Sequence, residues 1–298
     1  MAIPEAKLIT WSKQGSVPQS AQTYNTIKTV LEDANAPYHG KDFTVFLQGS
    51  YGNDTNVVRE SDVDIAIRLD QTFYTDLTFL EPAAKEAYEK ARDPATYGYQ
   101  EFKGEVLEWL ETKYPGAVKA GEKAIFLKGN GARRDADVLP CAVLRQYFGS
   151  SNGTDDKYAE GICFFLPDGT RIENFPQQHA DNCTTKHQDT DEWFKKVVRV
   201  YKNMRNQMID DGVLDEGIAP SYFLEGMLWN VPDDKFGESF DASFVNTFNW
   251  VLQADQEKLT TASGFHWLVR DGHHVCWPRA NFTAYLAAAR DYWQEWED

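Results

Sequence analysis

The chain has 298 residues, enough for one large or two small domains, and its 42% hydrophobic and 26% charged residues are typical of a globular protein. Its 30 Lys and Arg residues against 46 Asp and Glu residues give a net charge of −16, which argues against general binding of duplex nucleic acids. Because the sequence lacks a membrane-length apolar run, a secretory signal and a paired cysteine motif, we expect a cytoplasmic protein that contacts no membrane and keeps its thiols reduced.

The first 175 residues are predicted to be rich in strands. Apolar residues at helical spacing predict an opening helix over 17–34 and a helical segment over 80–115. β-Branched and aromatic residues, bounded by turn signals, predict strands between these helices and after them. The predicted strands cover 43–48, 63–69, 123–128, 134–146, 162–166 and 170–174. The last four are expected to form two hairpins.

After residue 175 the pattern changes to that of helices. The predicted helices cover 190–210, 220–230, 238–255 and 281–296. Asp189 and Glu192 have the spacing of a capping pair at the start of the first of these helices. We therefore predict an α/β fold of the α+β kind, with a mixed sheet lobe over 1–180 and a helical lobe over 181–298.

Three aspartates form the most informative pattern of the sequence. Asp62 and Asp64 lie two residues apart at the start of a predicted strand, so their carboxylates are expected on one face of it. Asp137 lies between apolar residues of a later strand, where a carboxylate is costly to bury without a metal or hydrogen bonds. Oxygen ligands at this density are typical of a Mg²⁺ or Mn²⁺ site that also binds substrate phosphates.

A short turn before the first two aspartates is the candidate phosphate site. Gln48, Gly49 and Ser50 end the strand at 43–48, and eleven residues separate Ser50 from Asp62. Gly49 would let the backbone approach a phosphate closely, and the Ser50 hydroxyl would bind the anion. Each motif alone is also common in solvated turns, but together in this order they point to a nucleotide substrate.

These motifs resemble the polymerase-β-like nucleotidyltransferases, and more narrowly the bacterial CD-NTases related to cGAS and DncV, in their clade E branch. The resemblance rests on Gly49-Ser50, on Asp62-Val63-Asp64 and on the D-V-L-P run at 137–140. Runs N-F-P-Q-Q-H at 174–179 and P-S-Y-F-L-E at 220–225 extend it over residues 20 to 296. It implies two lobes with the active site in the cleft between them and an opening helix that bridges both.

The resemblance implies a cyclic dinucleotide synthase that makes a second messenger for antiphage defence (CBASS), read by a downstream effector. Asp62, Asp64 and Asp137 would hold a pair of Mg²⁺ ions, for which Mn²⁺ could substitute, and activate the acceptor 3′-hydroxyl for attack on an α-phosphate. Lys202 and Ser221 would contact the triphosphate. No long nucleic acid is expected to be required, and regulatory proteins are conceivable partners.

For the choice of base, the resemblance singles out Asn174, because an asparagine near this place accompanies pyrimidine use. ATP and UTP are the favoured substrates, with a product such as cyclic UMP-AMP or cyclic di-UMP. Asn182 is a second candidate for reading the base, and a structural turn is the alternative for both residues. Tyr222 could stack on a base or belong to the core.

A basic stripe on the predicted 190–210 helix supports a substrate role. Lys195, Arg199, Lys202 and Asn206 follow one another at helical spacing, so they share one face. The alternative is an ordinary solvated face. The roles of Lys195 and Arg199 stay open at this stage.

A zinc site is considered and not expected. His179, Cys183 and His187 are spaced four residues apart and would share a helix face, but no fourth ligand lies nearby and the spacing is not that of a zinc finger. His179 is instead expected to form a hydrogen bond at the junction of the lobes.

Two other functions remain open. The first is a linear-oligonucleotide or single-nucleotide transferase, which would use the same first chemical step. The second is a catalytically silent nucleotide-binding regulatory module, which the presence of all three aspartates disfavours.

Overall fold

A computed structural model describes residues 3–15, 17–59, 62–151 and 155–296. The chain forms two compact units, which we call the helical unit and the sheet unit. The helical unit contains Met1–Val17, Gly49–Ser61 and Pro176–Asp298, and the sheet unit contains Pro18–Gln48 and Asp62–Phe175. These bounds differ from the predicted ones because two early segments, 1–17 and 49–61, pack with the C-terminal helices. That the opening helix bridges both lobes stays a prediction.

The sheet unit contains the strands and the helices that cover them. Its strands are β1 (Phe43–Leu47), β2 (Val63–Asp76), β3 (Val118–Ala120), β4 (Ile125–Leu127), β5 (Ala136–Ser151), β6 (Asp155–Phe165) and β7 (Arg171–Asn174). The helices that belong to it are α2 (Val17–Leu31), apart from its first residue, α4 (Pro82–Ala91) and α5 (Tyr99–Lys113). The predicted mixed sheet and both hairpins are confirmed.

Strand β5 is the centre of the sheet. β2 runs parallel to it along one edge, and β1 pairs antiparallel with the far side of β2. Along the other edge of β5, β4 pairs antiparallel with its first residues and β6 with its later ones. The parallel pairing matters for function because it aligns the starts of β2 and β5.

Apolar side chains fix the sheet unit around α5. Tyr99, Phe102 and Val106 of this helix are buried, and α5 packs on β2, β3 and β5. The indole of Trp109 donates a hydrogen bond to the Val30 carbonyl of α2 at 2.8 Å. This contact joins the two helices on which the sheet packs.

The predicted helical segment over 80–115 is interrupted. α4 ends at Ala91 and α5 begins at Tyr99. Pro94 lacks a backbone N–H and disfavours helical geometry in the residue before it, so the helix cannot continue through this position. Gly98, in an extended conformation, then provides the N-cap of α5.

The helical unit packs around α7. Its helices are α1 (Glu5–Trp11), α3 (Gly49–Gly52), α6 (Pro176–Asp189), α7 (Phe194–Asp210), α8 (Ser221–Trp229), α9 (Phe240–Gln253) and α10 (Arg279–Gln294). Val198, Tyr201 and Met204 of α7 are buried among the other helices. The carboxylate of Glu5 accepts hydrogen bonds from the backbone N–H groups of Phe240 and Asp241, which fastens α1 to the start of α9. Among the described residues, none of the helices combines the length and apolar character needed to cross a membrane.

The prediction that Asp189 and Glu192 cap α7 is wrong. Asp189 is the last residue of α6, and Glu192 has a positive φ of 64° in the connection between the helices. The hydroxyl of Thr190 accepts a hydrogen bond from the N–H of Phe194 at 3.0 Å instead. The capping-box pattern failed because α6, which the sequence analysis did not predict, already occupies residues up to 189.

Candidate active site

The parallel pairing of β2 with β5 brings two of the predicted aspartates together. Asp64 of β2 lies directly opposite Asp137 of β5, and both are half-buried. Asp62 comes just before β2 and is exposed. Neighbouring strands are about 4.8 Å apart, so the backbones of Asp64 and Asp137 are adjacent across the ladder. Three carboxylates are therefore concentrated at the start of these two strands.

The charges at this place oppose one another. Although Asp62 is exposed, partial desolvation of its carboxyl raises its pKa, and the nearby Asp135 raises it further, while Arg134 lowers it. Burial and the negative charges of Asp62 and Asp135 raise the pKa of Asp137. Like charges held this close favour binding of a cation, which would remove the repulsion.

Asp135 stabilises a turn, whereas Asp137, two residues later, is the predicted third metal ligand. Its carboxylate accepts a hydrogen bond from the N–H of Gly129 at 2.5 Å, which closes the turn between β4 and β5. A Cβ on Gly129 would lie 2.5 Å from the Arg133 carbonyl, so only glycine fits this turn. The preference for Asp137 over Asp135 as the third metal ligand is consistent with this arrangement.

The predicted phosphate turn begins at the end of β1. The N–H of Gln48 donates to the Asp64 carbonyl at 3.0 Å, which continues the β1–β2 ladder up to the turn. Gly49 has a φ of 66°, a conformation that glycine adopts without strain. Ser50 follows in α3 and its carbonyl accepts a hydrogen bond from the N–H of Thr55 at 2.9 Å.

Residues 49–59, which we call the 49–59 segment, are held by the basic stripe of α7. The stripe is buried, with Lys195, Arg199, Lys202 and Asn206 each less than 10% exposed, so the solvated-face alternative is wrong. Arg199 donates to the carbonyl of Asp54 at 2.6 Å, and Lys195 Nζ lies 3.5 Å from the Asp54 carboxylate. The structure thus assigns to Lys195 and Arg199, whose roles were open, the holding of this segment.

The two predicted triphosphate contacts lie on adjacent helices of the helical unit. Lys202 is on α7, and Ser221 is the first residue of α8. Arg205 orients this region, because one of its guanidinium nitrogens donates to Ser221 Oγ at 3.2 Å and another donates to the Ala219 carbonyl. Sequence reasoning did not single out Arg205, although a buried arginine one turn after a candidate lysine would have been a usable signal.

Tyr222, the third predicted nucleotide contact of the helical unit, packs against the buried His179. The ring of Tyr222 stacks on that of His179, with centroids 5.0 Å apart and planes at 21°. Tyr222 is half-buried, so one face of its ring is covered by the imidazole. Both alternatives for Tyr222, core packing and base stacking, are compatible with this position.

The two candidate base readers lie in different units. Asn174 is the last residue of β7 in the sheet unit, opposite Ile162 of β6, and is half-buried. Asn182 is on α6 of the helical unit, and its amide donates to the Ala262 carbonyl at 2.8 Å. Asn182 therefore has a structural hydrogen bond, and the base-reading role of either residue stays a prediction.

A cluster of potential metal ligands forms around Glu225 and differs from the set that the sequence analysis considered and did not expect to bind zinc. Among the described residues, His179, Cys183 and Glu225 are the group of three whose ligand atoms all lie within 4.8 Å of one another, and His187 is outside it. Both carboxylate oxygens of Glu225 already accept hydrogen bonds, and Lys202 Nζ is 3.8 Å away. A bound cation would compete with that ammonium, so we interpret the cluster as a hydrogen-bond network.

The aspartates are more widely spaced than this cluster. In the described part of the chain, the carboxylate oxygens of Asp62, Asp64 and Asp137 do not all approach within 4.8 Å of one another. Their number, their oxygen chemistry and their mutual repulsion nevertheless fit a divalent cation that keeps water and phosphate oxygens in its coordination shell.

Comparison with known proteins gives matches over almost the whole chain. A model of the cGAS/DncV-like nucleotidyltransferase C-terminal helical domain matches residues 181–294. A cyclic UMP-AMP synthase from Rhodothermus marinus (strain SG0.5JP17-172) is 35% identical over 297 residues, which is 99% of each chain. A cyclic dipurine nucleotide synthase from Elizabethkingia meningoseptica is 36% identical over 236 residues, 79% of each chain.

A solved structure shares the same fold. It is that of the Rhodothermus marinus CdnE c-UMP-AMP synthase with Apcpp and Upnpp, which matches with a TM-score of 0.88 and 32% identity. The match covers 99% of this chain and 98% of that one. The similarity therefore includes both the sheet unit and the helical unit.

Proposed function

Because this chain belongs to the family of cGAS/DncV-like nucleotidyltransferases and is similar to their CdnE synthases, we propose that it joins two nucleoside triphosphates into a cyclic dinucleotide. The observation that carries this proposal is the alignment of Asp64 with Asp137 across the β2–β5 ladder, next to Asp62. Carboxylates grouped at the starts of two adjacent strands can hold the metal ions that stabilise the attacking and leaving oxygens in such a transfer.

In the proposed reaction, a ribose hydroxyl of one nucleotide attacks the α-phosphorus of the other. A new P–O bond forms, the bond to the pyrophosphate breaks, and the hydroxyl proton is released. A second transfer in the opposite sense closes the ring and releases the second pyrophosphate. Two nucleoside triphosphates thus give one cyclic dinucleotide and two pyrophosphates.

Asp62, Asp64 and Asp137 would hold the divalent cations, for which we propose Mg²⁺ with Mn²⁺ as a substitute. The bound cations supply positive charge at the α-phosphate and lower the pKa of the attacking hydroxyl. The protein contributes the fixed positions of the carboxylates, since the parallel ladder sets Asp64 and Asp137 side by side. The mutual repulsion of the carboxylates supports this assignment because cation binding relieves it.

For the triphosphate we propose contacts in the helical unit. Lys202 would donate from its ammonium and Ser221 from its hydroxyl. Ser50, which follows the glycine turn, would add a second hydroxyl, with Gln48 and Gly49 lining the approach. The bonded position of Ser221 beside Arg205 supports this assignment, since it fixes the hydroxyl at the start of α8.

For the substrates we propose ATP and UTP, with Asn174 reading the uracil. The similar proteins include a cyclic UMP-AMP synthase and a cyclic dipurine nucleotide synthase, so the base differs among proteins of comparable similarity. We further propose that the product acts in antiphage defence through an effector protein in the cytoplasm.

The test is product analysis with an aspartate variant. We expect the protein, incubated with all four nucleoside triphosphates and Mg²⁺ or Mn²⁺ and then treated with phosphatase, to give a resistant cyclic species by mass spectrometry. The double variant D62N/D64N should lose this product by at least about 100-fold, because neutral amides bind divalent cations weakly. Asp93→Asn removes an exposed carboxylate of the same unit and should leave the yield unchanged.

The same experiment separates the alternatives. Pyrophosphate release without a phosphatase-resistant species would indicate a linear transferase. Unchanged product in D62N/D64N would contradict the assignment of the metal ligands, and no turnover of any nucleotide would favour a regulatory module.

A further inference from the structure

A buried carboxylate on α8 is contacted from three other parts of the helical unit. Glu225 is 2% exposed, and its Oε1 accepts a hydrogen bond from the Thr55 hydroxyl at 2.5 Å. Its Oε2 lies 3.0 Å from the amide nitrogen of Asn53 and 2.7 Å from His179 Nε2. Lys202 Nζ is 3.8 Å from Oε1. Each carboxylate oxygen is thus contacted by more than one donor group.

Glu225 is ionised in this environment. Burial by itself raises the pKa of a carboxyl group, but the hydrogen bond from His179 and the charge of Lys202 lower the pKa of Glu225 to about 2. An ionised carboxylate can only accept hydrogen bonds, so His179 Nε2 carries the proton in this contact. A fully buried negative charge with this many donors is stable only while the donors stay in place.

Two of these donors belong to the 49–59 segment, which also carries Ser50. Thr55 is bonded at both ends, because its hydroxyl donates to Glu225 and its N–H donates to the Ser50 carbonyl. A single residue therefore links the carboxylate of Glu225 to the backbone of Ser50. On its other side the same carboxylate faces Lys202.

We propose that Glu225 is a positioning residue for the substrate triphosphate: it fixes Lys202 and, through Thr55, Ser50 relative to each other. This inference rests on the proposed function, which assigns Ser50 and Lys202 to the triphosphate. Glu225 itself is enclosed and does not contact the nucleotide. Lys202 is as enclosed as Glu225 in this structure, so the effect of Glu225 is to hold the ammonium and the segment that carries the Ser50 hydroxyl in fixed positions before a triphosphate binds.

The variants that test the proposal change the hydrogen bonds of Glu225 or of Thr55 with little change in side-chain volume. Glu225→Gln removes the charge but keeps the shape, and the network can adapt because His179 can change tautomer and Asn53 can turn its amide. The His179 Nδ1 has no hydrogen-bond partner among the described residues, so the change of tautomer breaks no bond there. Thr55→Val removes the hydroxyl, and Thr55→Ser restores it.

We expect a change in nucleotide affinity rather than in the chemical step. Glu225→Gln should raise KM, and the Kd for a non-hydrolysable ATP or UTP analogue, by about tenfold or more, since a hydrogen-bonded charge is lost. Thr55→Val should raise both by a smaller factor, Thr55→Ser should return them to the wild-type values, and kcat should change by less than about threefold in all three variants.

A stability control separates positioning from folding. Thr247→Val removes a buried hydroxyl that contacts Tyr201 in the core of the same unit. It should lower the unfolding temperature without changing KM or Kd. Unchanged KM and Kd in Glu225→Gln, with a loss of unfolding temperature like that of Thr247→Val, would overturn the proposal.

The other possible outcomes also test the proposal about Glu225. If Glu225→Gln does not fold, the comparison of Thr55→Val with Thr55→Ser carries the test, and equal Kd values for the two would overturn the proposal. If the wild-type protein binds the analogue but makes no cyclic product, the proposed function fails while the Kd comparison still tests Glu225. A wild-type protein that binds no analogue would overturn both.

Discussion

Asn174 is the residue that we propose reads the uracil base. Its backbone pairs with β6 opposite Ile162 and lies so close to Gly161 that a Cβ there would be 2.5 Å from the Asn174 carbonyl. The half-buried amide offers both a donor and an acceptor, whereas a serine hydroxyl in the same place is shorter and presents a different pattern. A substitution at this position therefore changes the hydrogen-bonding pattern while the strand pairing can stay as it is.

We predict that Asn174→Ser shifts the product from uridine-containing to purine-only. The measurement is the base composition of the cyclic product, by mass spectrometry, from an equimolar mixture of the four nucleoside triphosphates. Asn203→Ser, which breaks the bond to the Trp11 carbonyl, is the matched control and should alter stability but not the bases. An unchanged ratio in Asn174→Ser would exclude this residue as the base reader.

The junction of α6 and α7 depends on one threonine. Thr190 donates its hydroxyl hydrogen to the Lys186 carbonyl at 2.8 Å and accepts from the N–H of Phe194 at 3.0 Å. It therefore closes the end of one helix and begins the next. Because α7 carries the basic stripe that holds the 49–59 segment, the start of this helix sets the position of the stripe.

We predict that Thr190→Ala lowers the free energy of unfolding by about 1 kcal/mol, the usual loss when a capping side chain is removed. Ser239→Ala, which removes the hydroxyl that accepts from Ala242 at the start of α9, should cost a similar amount. Thr26→Ala in the exposed middle of α2 should cost nothing, since alanine is the better helix former. Denaturant unfolding measures all three, and equal values for Thr190→Ala and Thr26→Ala would contradict the capping role.

The net charge of the protein and the burial of its basic stripe bear on whether nucleic acids activate it. The net charge is −16, and the basic stripe of α7 is buried against the 49–59 segment rather than displayed. A surface that binds the nucleic acid backbone needs exposed lysines and arginines on one face. The buried stripe of α7 therefore offers no such surface.

We predict that long nucleic acids do not activate the protein. Addition of duplex DNA or of RNA at low salt, where electrostatic binding is strongest, should change the rate of cyclic product formation by less than about twofold. The measurement is the initial rate with and without nucleic acid, with a polyanion such as heparin as a control for non-specific effects. A strict requirement for DNA or RNA would refute the prediction.

Local patterns were enough to predict most of the elements and the chemistry. β-Branched runs, helical spacing and turn residues depend on neighbours within a few positions. They located the strands other than β3 and the helices α2, α7, α8, α9 and α10. The motif Asp62-Val63-Asp64 and the later Asp137 were recognisable because the residue type and its spacing are by themselves typical of a cation site. The family then followed from these motifs and is confirmed by the comparisons.

Contacts between residues that are distant along the chain could not be predicted from the sequence and came only from the tertiary structure. Thr55 and Glu225 are 170 positions apart, and Arg199 and Asp54 are 145 apart, so no local pattern links them. A lone glutamate in the apolar run of α8 signals that partners exist, because a buried charge needs them, but not which groups they are. Only the tertiary structure decided that the 49–59 segment packs with the helical unit and that the basic stripe is buried. Both features depend on contacts between parts of the chain that are far apart in sequence.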